Sequence, residues 1–193
     1  MKIKKIKKIK NIKSIIILIL LIVIILAIII FFIYKWKVDK SDKKEIREIY
    51  QQSLSLIEKG DFRQATGLLE KVVEVSPDTL NYLQTLAIAK YNSKDYQGAI
   101  SVYKKIIEID SKNAFAYNGI GNVYRDLKIL KQAEENYQKA IEIDPYFIVS
   151  YTNLAFVLKE QNKKEEAKQI LEKGMEKNPG AKAAIKTIMD AIK

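Results

Sequence analysis

From about residue 46 onward, apolar residues recur at helical spacing, and the pattern itself recurs. Ala65, Ala99, Ala133 and Ala167 lie 34 residues apart, and Leu69, Tyr103, Tyr137 and Leu171 follow four positions behind them. Pro77, Ser111, Pro145 and Pro179 mark the same interval. A fixed period of 34 carried by amphipathic stretches predicts helix pairs stacked one on the next. Four periods fit residues 46–181 without insertion, as 46–79, 80–113, 114–147 and 148–181. Beyond them, residues 182–193 place Ile185, Ile188, Met189 and Ile192 on one side of a further helix. Such a helix covers the apolar face that the last pair would otherwise show to water.

The N-terminal end follows another pattern. Ser14 to Tyr34 is 21 residues without a charge, nearly all Ile, Leu, Val and Phe. As a helix, a run of this length spans about 30 Å, one hydrocarbon core. It is too long for the apolar region of a cleaved signal peptide, and Phe-Phe-Ile-Tyr-Lys-Trp at its end offers no small-residue cleavage site. The expectation is a retained single transmembrane helix over 14–34, between a basic tail at 1–13 and a charged linker at 35–45. Seven Lys precede the run with no acid among them, and six basic residues follow it up to Arg47. Positive charge stays on the cytoplasmic side. The short, dense N-terminal cluster therefore places the N-terminus in the cytoplasm and the repeats outside it. Tyr34 and Trp36 suit the far interface. The Ile3, Ile6, Ile9, Ile12 spacing within the tail also allows a basic segment lying on anionic lipid, though orientation alone accounts for the lysines.

Small residues at fixed places carry the packing of each pair. Ser53, Ala87, Gly121 and Ala155 on the first helix, and Ala65, Ala99, Ala133 and Ala167 on the second, allow close approach; a bulky side chain there overpacks. Pro77, Pro145 and Pro179 stop the second helix, and Gly60 and Asn162 suit turns that need positive φ. In the third unit the series reads Tyr117, Ile120, Gly121, Tyr124, Ala133, Tyr137, Ala140, Pro145. This closely resembles the tetratricopeptide repeat family, whose pattern is an aromatic, Leu, Gly, Tyr, Ala, Phe, Ala and Pro at these spacings. The resemblance covers residues 46–181. It implies an all-α fold: an α-solenoid of four helix pairs with a C-terminal capping helix, preceded here by one N-terminal transmembrane helix. Departures fall at Ile49 and Gln52 in the first unit, Lys90 in the second, and Ser111, which replaces a Pro.

The resemblance also implies a site. The first helices of the pairs line a concave face, and outward positions on them are Tyr50, Leu54, Asn81, Gln84, Ile88, Tyr91, Phe115, Asn118, Asn122, Arg125, Thr152, Phe156 and Lys159. Of these, Gln84, Tyr91, Asn118, Asn122, Arg125, Thr152, Phe156 and Lys159 form the expected protein-binding surface. Amides can satisfy a peptide backbone, and aromatics supply contact area, which suits an extended or helical peptide. Chaperone-adaptor members of the family grip a C-terminal carboxylate with a Lys/Asn/Asn/Lys/Arg set. Here Asn122 and Asn153 match, but Asn118, Ala183 and Thr187 stand where the cations belong, so that clamp is not expected.

Charge and composition narrow the function classes. The net charge of +11 is concentrated in residues 1–37, which hold nine Lys and no acid; the rest carries 25 basic against 23 acidic residues. A nearly neutral repeat region lacks the footprint of a nucleic-acid binder. The chain has no Cys and no His, so neither a thiolate or imidazole metal site nor a His general base is expected, and no cofactor. Neighbouring acids such as Glu134/Glu135 and Glu165/Glu166 do not face each other on a helix. The sequence thus reads as a non-enzymatic, membrane-anchored scaffold that binds a protein or peptide, with envelope assembly as an analogy at fold level. A cytosol-facing adaptor and a self-associating oligomer without a client remain open.

Overall fold

The computed structural model describes residues 25, 26, 28–33, 35 and 43–192. Two compact units divide the chain after Glu48. In the first, the described residues between 25 and 35 are helical. Ile25, Leu26, Ile28, Ile29, Ile30, Phe31, Phe32 and Ile33 are all exposed there, from 47% at Ile29 to 65% at Ile30. The basic tail, the expected span up to residue 24, and Tyr34 and Trp36 lie outside the described residues. Among the described residues, no helix is long and apolar enough to cross a membrane.

The second unit is helical throughout, with no strand among the described residues. Residues 43–58 are helical, and the part inside this unit, 49–58, is α1. There follow α2 (Phe62–Val75), α3 (Leu80–Asn92), α4 (Tyr96–Ile109), α5 (Ala114–Asp126), α6 (Leu130–Ile143), α7 (Ile148–Glu160) and α8 (Lys164–Lys177). A 3₁₀ turn, Pro179–Ala181, leads into α9 (Lys182–Ile192). The even-numbered helices α2 to α8 begin 34 residues apart, at Phe62, Tyr96, Leu130 and Lys164. Each helix packs chiefly on its chain neighbours, and odd-numbered helices from α3 to α9 also touch the next odd one. The core is accordingly a string of clusters, each shared by adjacent pairs. One holds Ala65, Leu69 and Leu86; the next Leu83, Ala99, Tyr103 and Val123; the last Tyr137, Leu154, Leu171 and Ile185. This is the quasi-one-dimensional build of an α-solenoid. α9 enters it through Ile185, which is 1% exposed, with Ile188 and Met189 half-buried beside it.

The close approach expected from small residues is present. Ser53, Ala87 and Ala155 on the first helices, and Ala65, Ala99, Ala133 and Ala167 on the second, have no exposed surface. The tightest places are glycines beneath tyrosine rings. A Cβ on Gly121 would stand 2.6 Å from Tyr137 Cε1 within the same pair, and one on Gly119 would overlap the Tyr103 ring across the junction of two pairs. Both rings are buried and cannot swing away.

Turns repeat as strictly as helices. Gly60, Lys94, Lys128 and Asn162, spaced by 34 residues, all take positive φ, between 62° and 77°. Two of the four are lysines, which no composition rule singles out; the tight helix–helix turn imposes the left-handed conformation at a cost of about 1 kcal/mol per residue. The second helices stop at Val75, Ile109, Ile143 and Lys177. Ser111 thus ends α4 in the same register as the prolines, because Lys112 N–H donates to Asp110 Oδ1 and Asn113 caps α5 through Ala116 N–H. Lys90, where the family places Tyr, lies between Glu70 at 2.6 Å and Asp95 at 3.0 Å and ties α2 and α3 to the turn before α4. Burial works against its charge, but the two carboxylates outweigh it and raise its pKa. Gln52 is exposed, whereas Leu86, Ile120 and Leu154 at the equivalent places are buried; only in the first pair does that face have no preceding pair.

The glycines give a test of the packing by sign. Gly119→Ala is expected to destabilise the repeats by about 1–3 kcal/mol through overpacking. Gly67→Ala, where a Cβ meets nothing within 4 Å, is expected to stabilise α2 by about 0.5–1 kcal/mol. Urea unfolding followed by circular dichroism reads both, and equal shifts for the two variants would refute the close-approach account.

Candidate functional site

The first helices of the pairs, α1, α3, α5 and α7, carry the expected binding residues. Their side chains divide into two sets. One set is engaged in hydrogen bonds between successive first helices. Tyr50 OH lies 3.0 Å from Thr85 Oγ1 and accepts from Asn81 Nδ2 at 3.1 Å. Tyr91 OH donates to Asp126 Oδ2 at 2.6 Å and accepts from Arg125 Nη2 at 3.3 Å. Arg125 is further held by Asp126, through Nε at 3.1 Å and Nη2 at 3.0 Å. Asn118 Oδ1 accepts from Ser150 Oγ and Asn153 Nδ2, both at 3.1 Å. Asn122 Oδ1 accepts from the same Asn153 Nδ2 at 3.1 Å and from Tyr137 OH at 2.8 Å. Partners on successive first helices lie 31–35 residues apart, one repeat length, so these bonds are rungs between neighbouring pairs.

The remaining side chains are exposed or half-buried. Ile88 on α3 and Phe156 on α7 are 36% and 39% exposed, large apolar side chains on either side of α5. Gln84 is half-buried and lines a cavity of about 280 Å³ with Phe115, Asn113, Asp144 and Phe147. Phe115 also meets the Tyr103 ring edge-on at 5.9 Å. Thr152 is half-buried, with its hydroxyl given to Val149 O at 2.9 Å, and Lys159 and Leu54 are half-buried.

The structure therefore brings the expected residues onto one face but changes their parts. Asn118, read from the sequence as outward-pointing, is 5% exposed, because α5 and α7 approach closely enough to bond through it. Arg125 is committed to Asp126 and Tyr91. Ser150, Thr85, Asp126 and the Tyr137 hydroxyl were not among the expected site residues, although they complete the rungs. A polar residue repeated 31 to 35 positions after another was the signal available. Electrostatics follow burial: Tyr91 is pushed up to about 12, first by burial and then by its bond to Asp126, with Arg125 opposing. Burial likewise pushes the Tyr137 phenol up. Among the described residues, no group of acids is placed to hold a metal ion.

Models of the tetratricopeptide repeat family match residues 80–113, 114–147 and 136–169. With the helix pairs and the face of first helices, these matches define the class as a helical-repeat protein of the protein-interaction type. The chain is a tetratricopeptide repeat protein. No curated protein sequence matches it significantly. Among solved structures it is similar to residues 41–end of MamA from Desulfovibrio magneticus RS-1, 24% identical over 70% of this chain and 76% of that one, TM-score 0.62. It is similar to Pseudomonas aeruginosa pilF at 23% identity, 76% and 67% coverage and TM-score 0.63. A thermophilic TPR protein of Thermus thermophilus matches at 14% identity, 76% and 80% coverage and TM-score 0.62. At these identities the likeness is one of fold.

The Tyr91–Asp126 pair makes a pH prediction. The unfolded phenol ionises near 10.0 and the folded one near 12, so the unfolded chain releases its proton first. The pair's stabilisation is present below pH 10 and is lost as the pH rises toward 12. Asp126→Asn keeps an acceptor but removes the carboxylate's charge, and should lower the Tyr91 pKa without restoring its ordinary value, as read by NMR of ¹³C-labelled tyrosine. An unchanged Tyr91 titration would mean that the bond does not form.

Proposed function

We propose that this chain is a membrane-anchored scaffold that captures a protein or peptide partner in the concave groove of its repeats. One observation carries the capture reading: Ile88 and Phe156 are large apolar side chains left exposed on α3 and α7, flanking a helix whose polar groups are fixed in place. Apolar anchors beside ordered polar groups are what a protein-binding groove requires, and the fold is one used for binding proteins. Supporting the anchor is a helix that is apolar on every described position from Ile25 to Ile33, all exposed. A helix apolar all round is stable in a protein core or in lipid, and the sequence continues the apolar run back to residue 15. In this reading the N-terminus is cytoplasmic and the repeats work on the outer side of the membrane, in assembly or recruitment at the cell envelope. The mechanism is capture without chemistry: the groove supplies contact area, and the anchor confines the complex to two dimensions.

Two expected outcomes test these parts separately. Ile88→Ser combined with Phe156→Ser should abolish enrichment of phage-displayed random peptides on the full chain while leaving helicity intact, because both side chains are already partly in water. Enrichment equal to the parent's would move the capture site elsewhere. For orientation, Lys112→Cys gives a single thiol in an exposed turn of a chain with no native Cys. A membrane-impermeant maleimide should label it in cells with a permeabilised outer layer and an intact inner membrane. Labelling only after lysis would place the repeats in the cytosol and make cytosolic clients the partners.

A further inference from the structure

We propose that the cavity between α3 and the turns before α5 and α7 is a pocket for an arginine side chain of the captured partner, with Asp144 as its counter-charge. The inference rests on the reading of the repeats as a capture site and names one side chain that the partner presents there.

Two equivalent turns differ at one contact. Asp110 and Asp144 lie 34 residues apart, as do Asn113 and Phe147. In the first turn both oxygens of Asp110 are taken. Oδ1 accepts from Lys112 N–H at 3.1 Å, and Oδ2 accepts from Asn113 Nδ2 at 3.0 Å. Asn113 Oδ1 in turn caps α5 through Ala116 N–H at 3.1 Å. In the second turn Asp144 Oδ1 keeps the matching bond, from Tyr146 N–H at 2.9 Å. Phe147 has no amide to offer, so Asp144 Oδ2 has no partner among the described residues and α7 has no side-chain cap. An Asn cap stabilises a helix, so this turn gives up a local contact for an aromatic ring. Phe147 belongs to none of the three core clusters, and core packing therefore does not explain the exchange.

The ring and the carboxylate both line the cavity of about 280 Å³, with Gln84 and Phe115. That volume lies at the small end of ligand pockets, roughly 300–1,000 Å³, and suits one side chain. Phe115 is held edge-on against Tyr103 at 5.9 Å, so this wall is set before a partner arrives. A half-buried carboxylate with an open oxygen favours a cation, and aromatic walls favour one that is flat and weakly hydrated. A guanidinium meets both conditions. It lies on a ring and turns its fork of N–H donors to Asp144 Oδ2 and the Gln84 amide oxygen. A lysine ammonium is more strongly hydrated and gains less from the rings. One like charge, Lys112, also lines the cavity. It is exposed, and no ion pair joins it to Asp144 among the described residues. Asp144 is therefore open to an incoming cation, and Lys112 opposes that cation from the rim.

The test uses 12-residue peptides selected from a random phage library on the full chain in detergent. The selected peptides should share an arginine. Replacing it by citrulline, which keeps the shape and removes the charge, should weaken binding at least about tenfold. On the chain, Asp144→Asn keeps the acceptor for Tyr146 N–H and should weaken the same peptides by a similar factor. Lys112→Ala removes the opposing charge and should tighten them about twofold. Phe147→Asn recreates the capped turn, with Asp144 Oδ2 occupied as Asp110 Oδ2 is. It should weaken the peptides about tenfold while holding or raising the thermal midpoint, so that lost binding is not lost folding. The citrulline comparison uses the parent chain and holds even if a variant fails to fold. An arginine-free consensus or an equal affinity of the citrulline peptide would each overturn the pocket while leaving capture standing. So would reversed signs for Asp144→Asn and Lys112→Ala, the mark of an anionic occupant. A parent chain that enriches no peptide would overturn the capture reading and this inference with it.

Discussion

Everything in the repeat unit depends on how closely one helix can approach the next. The second helix of each pair turns an alanine, fully buried in all four cases, against its partner, and the gap to the following pair is filled by a Leu or Tyr four residues on. At Tyr103 the facing helix of the next pair carries Gly119, and Tyr137 lies against Gly121 of its own pair. Overpacking at such a contact is repelled steeply, while a gap forfeits dispersion contacts. The spacing between helices is therefore narrowly set, and it is set again every 34 residues. From that constraint follow the common register of the helix ends and the positive φ at Gly60, Lys94, Lys128 and Asn162.

The same close approach creates the polar rungs. Once α5 and α7 are held together by Tyr137, Leu154 and Ala155, the polar groups between them are partly buried and must find partners or be lost to the fold. Asn153 serves two asparagines of the preceding repeat, and Arg125 is fixed by Asp126 and Tyr91. The proposed groove is in this sense a consequence of packing. Its floor is ordered by hydrogen bonds that stabilise the stack, and its walls keep the apolar side chains, Ile88 and Phe156, that packing did not consume. A rigid floor reduces the ordering cost a partner would otherwise meet on binding.

Much of this is legible in the chain itself. The period predicts the helix pairs, and the small positions predict which residues are buried. Ile185 is legible as part of the closing helix from its spacing with Ile188 and Met189. The surface that carries the candidate site is legible too, in that Gln84, Tyr91, Asn118, Asn122, Arg125, Thr152, Phe156 and Lys159 all lie on first helices. What is not legible is which of them are free. Asn118 and Phe156 occupy similar outward positions in the repeat pattern, yet one is buried and bonded and the other lies open.

The sequence by itself determined the periodic quantities: helix, turn, helix, small residue, filler, stop. Each is decided by neighbours within one repeat, and local chemistry recorded 34 residues apart is enough to read them. It also determined that an apolar run precedes the repeats, since hydrophobicity is a property of composition. The tertiary structure alone decided the lateral partners. Whether Asn122 meets Tyr137 and Asn153, or Lys90 meets Glu70 and Asp95, depends on distances between different helices. Gly119 shows the same division: within α5 it weakens a helix, and only the Tyr103 ring of the preceding pair explains why nothing larger fits there.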